Sequence, residues 1–340
     1  MKALVWRGSQ PEVEEIELPA PGPGEVRVRI KAAGVCHSDL SMINGTLNPP
    51  TPLVLGHEAA GVVVETGEHV VLNWAPACRA CWFCERGEPW LCANALGASR
   101  PRGDFHVTLG LGALAEEVVV PTHAMISVPR ELPFEAAALL GCAVLTGSGA
   151  VRRTAGVQPG DLVAVIGLGG VGLSAVIAAK AAGAAKVIAI DVSEAKRDLA
   201  FALGATDFVI SDDGLSKAIR GLTEGRGVDH AFECVGRSST IRAAWRCTRR
   251  GGQVTVVGMG SNDDMVQLSA LDIFSSARVL RSSVYGSSDP DRDVPRLAQS
   301  VLAGEFDMQK LITDTISLDE APEAFARMAR GEGARSVVVM

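Results

Sequence analysis

Residues 162–191 read LVAVIGLGGVGLSAVIAAKAAGAAKVIAID, and this stretch decides the fold. An apolar run of β type enters a glycine turn, a helix of small residues leaves it, and a second apolar run ends on an acid. The turn, Gly167-Leu168-Gly169-Gly170-Val171-Gly172, fits G-x-G-x-x-G. Alone that pattern is weak. It becomes strong because it leaves a strand, opens a helix and precedes Asp191 at the end of the next strand. Gly167 permits the tight turn, Gly169 lets backbone N–H groups approach a pyrophosphate, and Gly172 lets helix and sheet pack closely. The positive end of the helix then faces the phosphates. A glycine-rich βα turn with no ligand is the plain alternative; the context favours a dinucleotide site.

Outward from the turn, the texture alternates. Helices are predicted near 147–156, 171–183 and 194–203, and strands at 162–166, 186–191, 207–210, 229–234, 252–258 and 278–284. Such alternation implies a parallel, doubly wound sheet. Upstream the chain reads as all-β: strands at Lys2–Trp6 and 26–30 flank the turn Pro19-Ala-Pro-Gly-Pro-Gly24. Two β-rich runs, AAGVVVE and HVVLNW, follow, joined at Thr66-Gly-Glu68. Residues 93–112 read as a loop, a strand resumes at 118–120, and helical texture begins near Pro133. The tail carries amphipathic helices at 294–303 and 318–329 and a last strand at 335–340.

The 340 residues suffice for two domains with a large core. Thirty-two basic against 39 acidic side chains give a net charge of −7, which disfavours nucleic acid or an anionic membrane as partner. The longest apolar stretch, 163–182, is broken by glycines and Lys180, and no membrane span is expected. The first residues turn acidic without an apolar run, so no signal peptide is read and a cytoplasmic location is expected. Eight cysteines in such a chain, four of them within 78–92, suggest metal rather than disulfides.

The cysteines fall into two groups. Cys78-x2-Cys81-x2-Cys84-x7-Cys92 offers four thiolates from one loop, enough to close a tetrahedral zinc shell. An iron–sulfur site is the nearest rival, but the ferredoxin run ends C-x3-C-P, whereas here Cys92 lies eight residues on and Ala93 follows. Cys36, His57 and Cys142 are dispersed, and each alone is more often a buried core residue. Together they make a Cys₂His set that leaves zinc a fourth position. Spacing does not single these three out.

A resemblance does. GVCHSD at 34–39, GHE at 56–58, the four-cysteine lobe, GCAVLTG at 141–147 and the glycine turn with its acid occur in this order along nearly the whole chain. The chain resembles the zinc-dependent alcohol dehydrogenases of the medium-chain dehydrogenase/reductase superfamily. The resemblance implies an α/β protein with a GroES-like β-rich catalytic domain, residues 1–143 plus 285–340, and a Rossmann domain, 144–284. The zinc lobe is expected at about 74–95. It implies two zincs per chain, one catalytic on Cys36, His57 and Cys142 and one structural on the four-cysteine loop. Glu58 stands nearby, and Asp39 supports His57. Ser38 is implied as the hydroxyl that receives the substrate proton. His37 and Arg335 are implied at the pyrophosphate, Lys196 with Asp191 at the adenosine ribose, and Trp74, Leu109 and Met259 at the substrate.

The implied chemistry interconverts an alcohol and its aldehyde or ketone by hydride transfer with NAD, zinc serving as Lewis acid. A dehydrogenase of a thiol-adduct aldehyde or a polyol is the alternative. A non-catalytic zinc- and dinucleotide-binding protein is disfavoured because Cys36, His57, Cys142 and Ser38 are all present. A zinc-free quinone reductase would lack the cysteine lobe. Relatives are commonly homodimers or homotetramers, and the run 278–285 is a candidate edge strand for such pairing. Two departures stand out: Ser41 where the family often has a histidine, and a shortened hairpin at 62–71 reading Gly67-Glu-His-Val70.

Overall fold

The computed structural model describes residues 1–95 and 99–340; part of the loop expected at 93–112 thus lies outside the described residues. The chain divides into two compact units, Met1–Leu145 with Ser288–Met340, and Thr146–Ser287.

The second unit is built on the glycine stretch. Its strands Asp207–Ile210, Lys186–Asp191, Leu162–Ile166, Val228–Glu233, Thr248–Val256 and Val279–Ser282 lie side by side in that order, all parallel. Numbered along the chain, that is 3-2-1-4-5-6, the doubly wound arrangement, whose crevice for ligands lies outside the carboxyl ends of the central strands. Strand Leu162–Ile166 is covered on both faces, so its apolar residues run without alternation: Val163, Ala164, Val165 and Ile166 are all buried. Ile166, Ile188, Ile190, Ala231 and Val254 share one core with Trp245 and Ile219 from the covering helices. Residues expected as one helix at 147–156 form an α-helix, Ala143–Gly149, that continues as a π-helical turn, Ala150–Ala155. The run 278–285 supplies Val279–Ser282, an edge strand whose four residues are all exposed.

The first unit is β-rich. Lys2–Trp6 pairs with Glu12–Glu15 and Leu53–Val54, and Phe105–Thr108 with Ser99–Arg102 extends this sheet. The loop expectation for 93–112 is therefore corrected. Phe105 and Val107 pack on the core while Pro101 sits in the outer strand, where a missing N–H costs no ladder bond. A second sheet is organised on the long strand Glu25–Gly34, which pairs with Ala59–Val63, Glu117–Pro121 and the last strand, Ser336–Val339. Gly61 permits the close pairing there: a Cβ would lie 2.2 Å from the Arg29 carbonyl oxygen. No single helix among the described residues is long and apolar enough to cross a membrane; the pair Phe134–Leu140 and Ala143–Ala155 meets the length only with a 51° bend.

Candidate metal and dinucleotide sites

In the first unit the strand Glu25–Gly34 ends just before Cys36, which caps the helix His37–Ile43 in an extended conformation. The turn before His57 needs Gly56, whose φ is +100° and whose Cβ would lie 2.3 Å from the Leu114 amide nitrogen. Cys142 lies between the helices Phe134–Leu140 and Ala143–Gly149. One donor atom each from Cys36, His57 and Cys142 falls within 4.8 Å of the others, and all three residues are buried.

Asp39 fixes the ring. Its Oδ1 accepts from the Gly56 amide at 2.8 Å and its Oδ2 lies 2.8 Å from His57 Nδ1, leaving Nε2 as the outward donor. That Nε2 is buried with no hydrogen-bond partner. An orphaned imidazole nitrogen beside two sulfurs is what a borderline-soft cation satisfies, so these residues fit zinc. Burial opposes charge on His57, but Asp39 and Cys36 prevail and raise its pKa to about 10.

Behind the cluster, Glu58 Oε1 accepts from the Ala143 amide at 2.8 Å, tying the His57 turn to the segment that carries Cys142. Glu58 also pairs with Arg335, whose Nη1 donates to the Val35 carbonyl at 2.9 Å. Gly34 is required here: a Cβ would lie 2.5 Å from Glu58 Oε2 and 2.6 Å from Arg335 Nη2. Arg335, placed at the pyrophosphate by resemblance, is 3% exposed and turns onto Glu58 and the Val35 carbonyl. His37 is exposed, Ser38 half-buried, and Ser41 buried.

The four-cysteine loop brings Cys78, Cys81, Cys84 and Cys92 within the same 4.8 Å limit. Sulfur acceptors are met by N–H donors: the Cys78 amide on Cys92 Sγ at 3.2 Å and Asn94 Nδ2 on Cys78 Sγ at 3.3 Å. This set too fits zinc, with every ligand position supplied by the protein.

In the second unit three of the four turn glycines have separate reasons. Gly167 has φ +90°, and a Cβ on Gly172 would lie 1.8 Å from the Gly167 carbonyl oxygen. A Cβ on Gly169 would meet no atom within 4 Å, so the space there is open on the side a ligand approaches. The helix Gly170–Ala181 starts with no side-chain cap, leaving the Gly170 and Val171 amides at an open positive end. The Leu168 amide, by contrast, is spent on Asp191 Oδ2 at 2.8 Å. Asp191 Oδ1 accepts from the Ser193 amide at 3.0 Å, and Lys196 Nζ stands 3.4 Å from Oδ2.

The substrate residues expected from resemblance are divided. Trp74 and Leu109 pack on the main core of the first unit, and Met259 belongs to the second unit, where it is exposed. Sequence reasoning missed Glu233, a fully buried acid closing the fourth strand. The signal was available: an acid ends that strand just as Asp191 ends the second.

A doubly wound sheet with an open glycine turn, and a buried donor set with room for one more ligand, define an oxidoreductase that works with zinc and a nicotinamide cofactor. Residues 22–130 match the alcohol dehydrogenase GroES-like domain, and 170–302 the zinc-binding dehydrogenase family. An NDMA-dependent alcohol dehydrogenase of Amycolatopsis methanolica is 35% identical over 98% of this chain and 96% of its own. An S-(hydroxymethyl)glutathione dehydrogenase of Escherichia coli O139:H28 is 34% identical over 97% of this chain and 96% of its own. The solved benzyl alcohol dehydrogenase of Acinetobacter calcoaceticus superposes with a TM-score of 0.92 at 27% identity, covering 100% of this chain and 99% of that one. The chain belongs to the zinc-dependent alcohol dehydrogenase family of the medium-chain dehydrogenase/reductase superfamily.

Proposed function

We propose that this protein is an NAD-linked alcohol dehydrogenase acting on uncharged medium-sized or aromatic alcohols and the matching aldehydes or ketones. The observation that carries the reading is the pair of donor sets, one of four thiolates and one of three buried donors with His57 Nε2 unsatisfied. Cys36, His57 and Cys142 would hold the catalytic zinc, which when bound polarises the substrate oxygen. Cys78, Cys81, Cys84 and Cys92 would hold the second. The chain's own part is positional. Asp39 locks the His57 ring, Glu58 ties Cys142's segment to the His57 turn, and Ser38 takes the proton that leaves the substrate hydroxyl. The open amides of the glycine turn receive the pyrophosphate, and Asp191 with Lys196 selects the unphosphorylated ribose.

Trp74 and Leu109 in the first unit and Met259 in the second are apolar, which supports uncharged substrates, as does the benzyl alcohol dehydrogenase likeness. The S-(hydroxymethyl)glutathione dehydrogenase relative supports a second reading, oxidation of a thiol-adduct aldehyde. Association into a homodimer or homotetramer is part of the proposal, on the ground of the exposed edge strand Val279–Ser282. A panel of alcohols, polyols and hydroxymethyl thiols, assayed by NADH absorbance with NAD or NADP and with or without NDMA, tests the reading. Turnover of aromatic alcohols with NAD is expected; turnover restricted to thiol adducts would move the assignment to the second reading, and none at all with two zincs bound would reject it.

A further inference from the structure

Glu233 ends the strand Val228–Glu233 and is 0% exposed. Its Oε1 accepts from the Val235 amide at 2.9 Å, the Gly236 amide at 2.9 Å and the Thr240 hydroxyl at 2.7 Å. Its Oε2 is buried without a hydrogen-bond partner. Its backbone carbonyl accepts from Val257 at 2.8 Å and Gly258 at 2.9 Å. One residue thus gathers the loops that leave the fourth and fifth strands. The fourth-strand loop in turn rests on the glycine turn. The Cys234 amide donates to the Ile166 carbonyl at 2.8 Å, and a Cβ on Gly167 would lie 2.5 Å from Val235 Cγ2.

Burying a carboxyl is unfavourable unless its oxygens are hydrogen-bonded, and here burial pushes the pKa upward against the pull of Thr240 and the loop amides. An apolar side chain would fill the space without that cost, so packing alone does not account for an acid. The two helix starts on neighbouring strands explain it. The helix Gly170–Ala181 begins uncapped and open to an anion. The helix Ser238–Cys247 does not: the Ser238 amide donates to Asp264 Oδ2 at 2.8 Å, and the amides before it turn inward onto Glu233. The chain's own carboxylates fill the second start, and the first stays open to a pyrophosphate.

We propose that Glu233 is a positioning residue for the dinucleotide: by drawing the Val235 and Gly236 amides inward it holds the 234–237 loop against the glycine turn and keeps those amides from competing with that turn for an anion. This rests on the reading of Thr146–Ser287 as the cofactor unit. Glu233 touches no reacting atom; it acts through the loop.

The test is NADH binding by fluorescence on the zinc-loaded protein, with melting temperature and zinc content measured alongside. Glu233→Ala is expected to weaken NADH about 10–100-fold, the loss for hydrogen bonds to a charged group. Glu233→Gln keeps the shape and one acceptor oxygen and should lose less, about 3–10-fold. Zinc content should stay at the wild-type level. A lowered melting temperature with NADH affinity within about twofold of wild type in the folded variants would overturn the proposal, because that is what a merely structural acid would give. Hydrogen exchange on the NADH-free wild type decides independently of the variants' folding: Val235 and Gly236 amides should be protected, and rapid exchange at both would overturn it. A wild-type protein that binds no NADH would fail the cofactor reading instead, and the exchange result would still stand on its own.

Discussion

Asp191 holds the glycine turn, and in the proposed function it also meets the adenosine ribose. Its two oxygens take the Leu168 and Ser193 amides and the Lys196 ammonium, yet an ionised carboxylate has about four acceptor positions, so about one remains for a ribose hydroxyl. Asp191→Gly should therefore do two things: weaken both dinucleotides by loosening Leu168, and move the NAD:NADP preference about tenfold or more toward NADP by removing the charge that repels a 2′-phosphate. Affinities measured for both cofactors check this; an unchanged ratio would reduce Asp191 to a turn-capping acid. Ser41 raises a different question. A serine is no base near neutrality, so a proton passed through Ser38 has no imidazole to receive it there. We expect alcohol oxidation to be slow near pH 7 and to gain rate as pH rises, and Ser41→His to raise the rate mainly in the neutral range. Because Ser41 is 5% exposed, with buried Leu40 and Met42 on either side, the substitution also costs stability. The pH profile of single-turnover oxidation is the measurement, and a profile unchanged by Ser41→His would remove the relay argument.

At the scale of elements, the zinc lobe and the helix Pro290–Leu302 are joined by charge. Arg79, at φ +60° between two cysteines, donates to Asp289 Oδ1 at 2.6 Å and Oδ2 at 2.8 Å and to Asp291 at 2.5 Å. The Arg79 hydrogen bonds hold the Asp289 pKa below its ordinary value against the opposing effect of burial. A depressed carboxyl contributes stability above its unfolded pKa, about 3.9, and loses it as pH falls through the lower folded value. Asp289→Asn should accordingly flatten the fall of melting temperature between about pH 5 and pH 3 relative to wild type; an identical acid limb would show the clamp to be idle. The two metal sets should separate in the same experiments. Cys81→Ser removes a thiolate from a loop held by coordination and should lower the melting temperature by about 5 °C or more. Cys142→Ser should abolish turnover with a smaller thermal change, and a reversal of these two effects would exchange the roles of the sites.

For the whole molecule, the exposed apolar surface is unevenly placed. Val279 and Leu280 on the edge strand are 48% and 44% exposed, and Leu271 and Phe274 on the preceding helix are 74% and 85% exposed. An open strand edge beside large apolar side chains is a hazard unless another copy covers it. Light scattering at micromolar concentration should give a dimer or tetramer, and Phe274→Asp should shift it toward monomer; a wild-type monomer would contradict the assembly.

The sequence by itself determined the doubly wound sheet, because glycine, small-residue and β-branched positions at fixed spacing have few other uses, and it placed the glycine turn to the residue. It also determined the four-cysteine set, which is local: all its donors come from one loop. The pair of strands at Ser99–Arg102 and Phe105–Thr108 was not legible, since proline, arginine and glycine there carry turn signals and the strands exist through pairing with Leu53–Val54. Likewise only tertiary structure brings Cys36, His57 and Cys142 together from positions 106 residues apart at the extremes, turns Arg335 inward onto Glu58, and seats Glu233 beneath two loops at once. Motifs record what a short segment must do for its own backbone; contacts between distant segments depend on packing that no local pattern encodes.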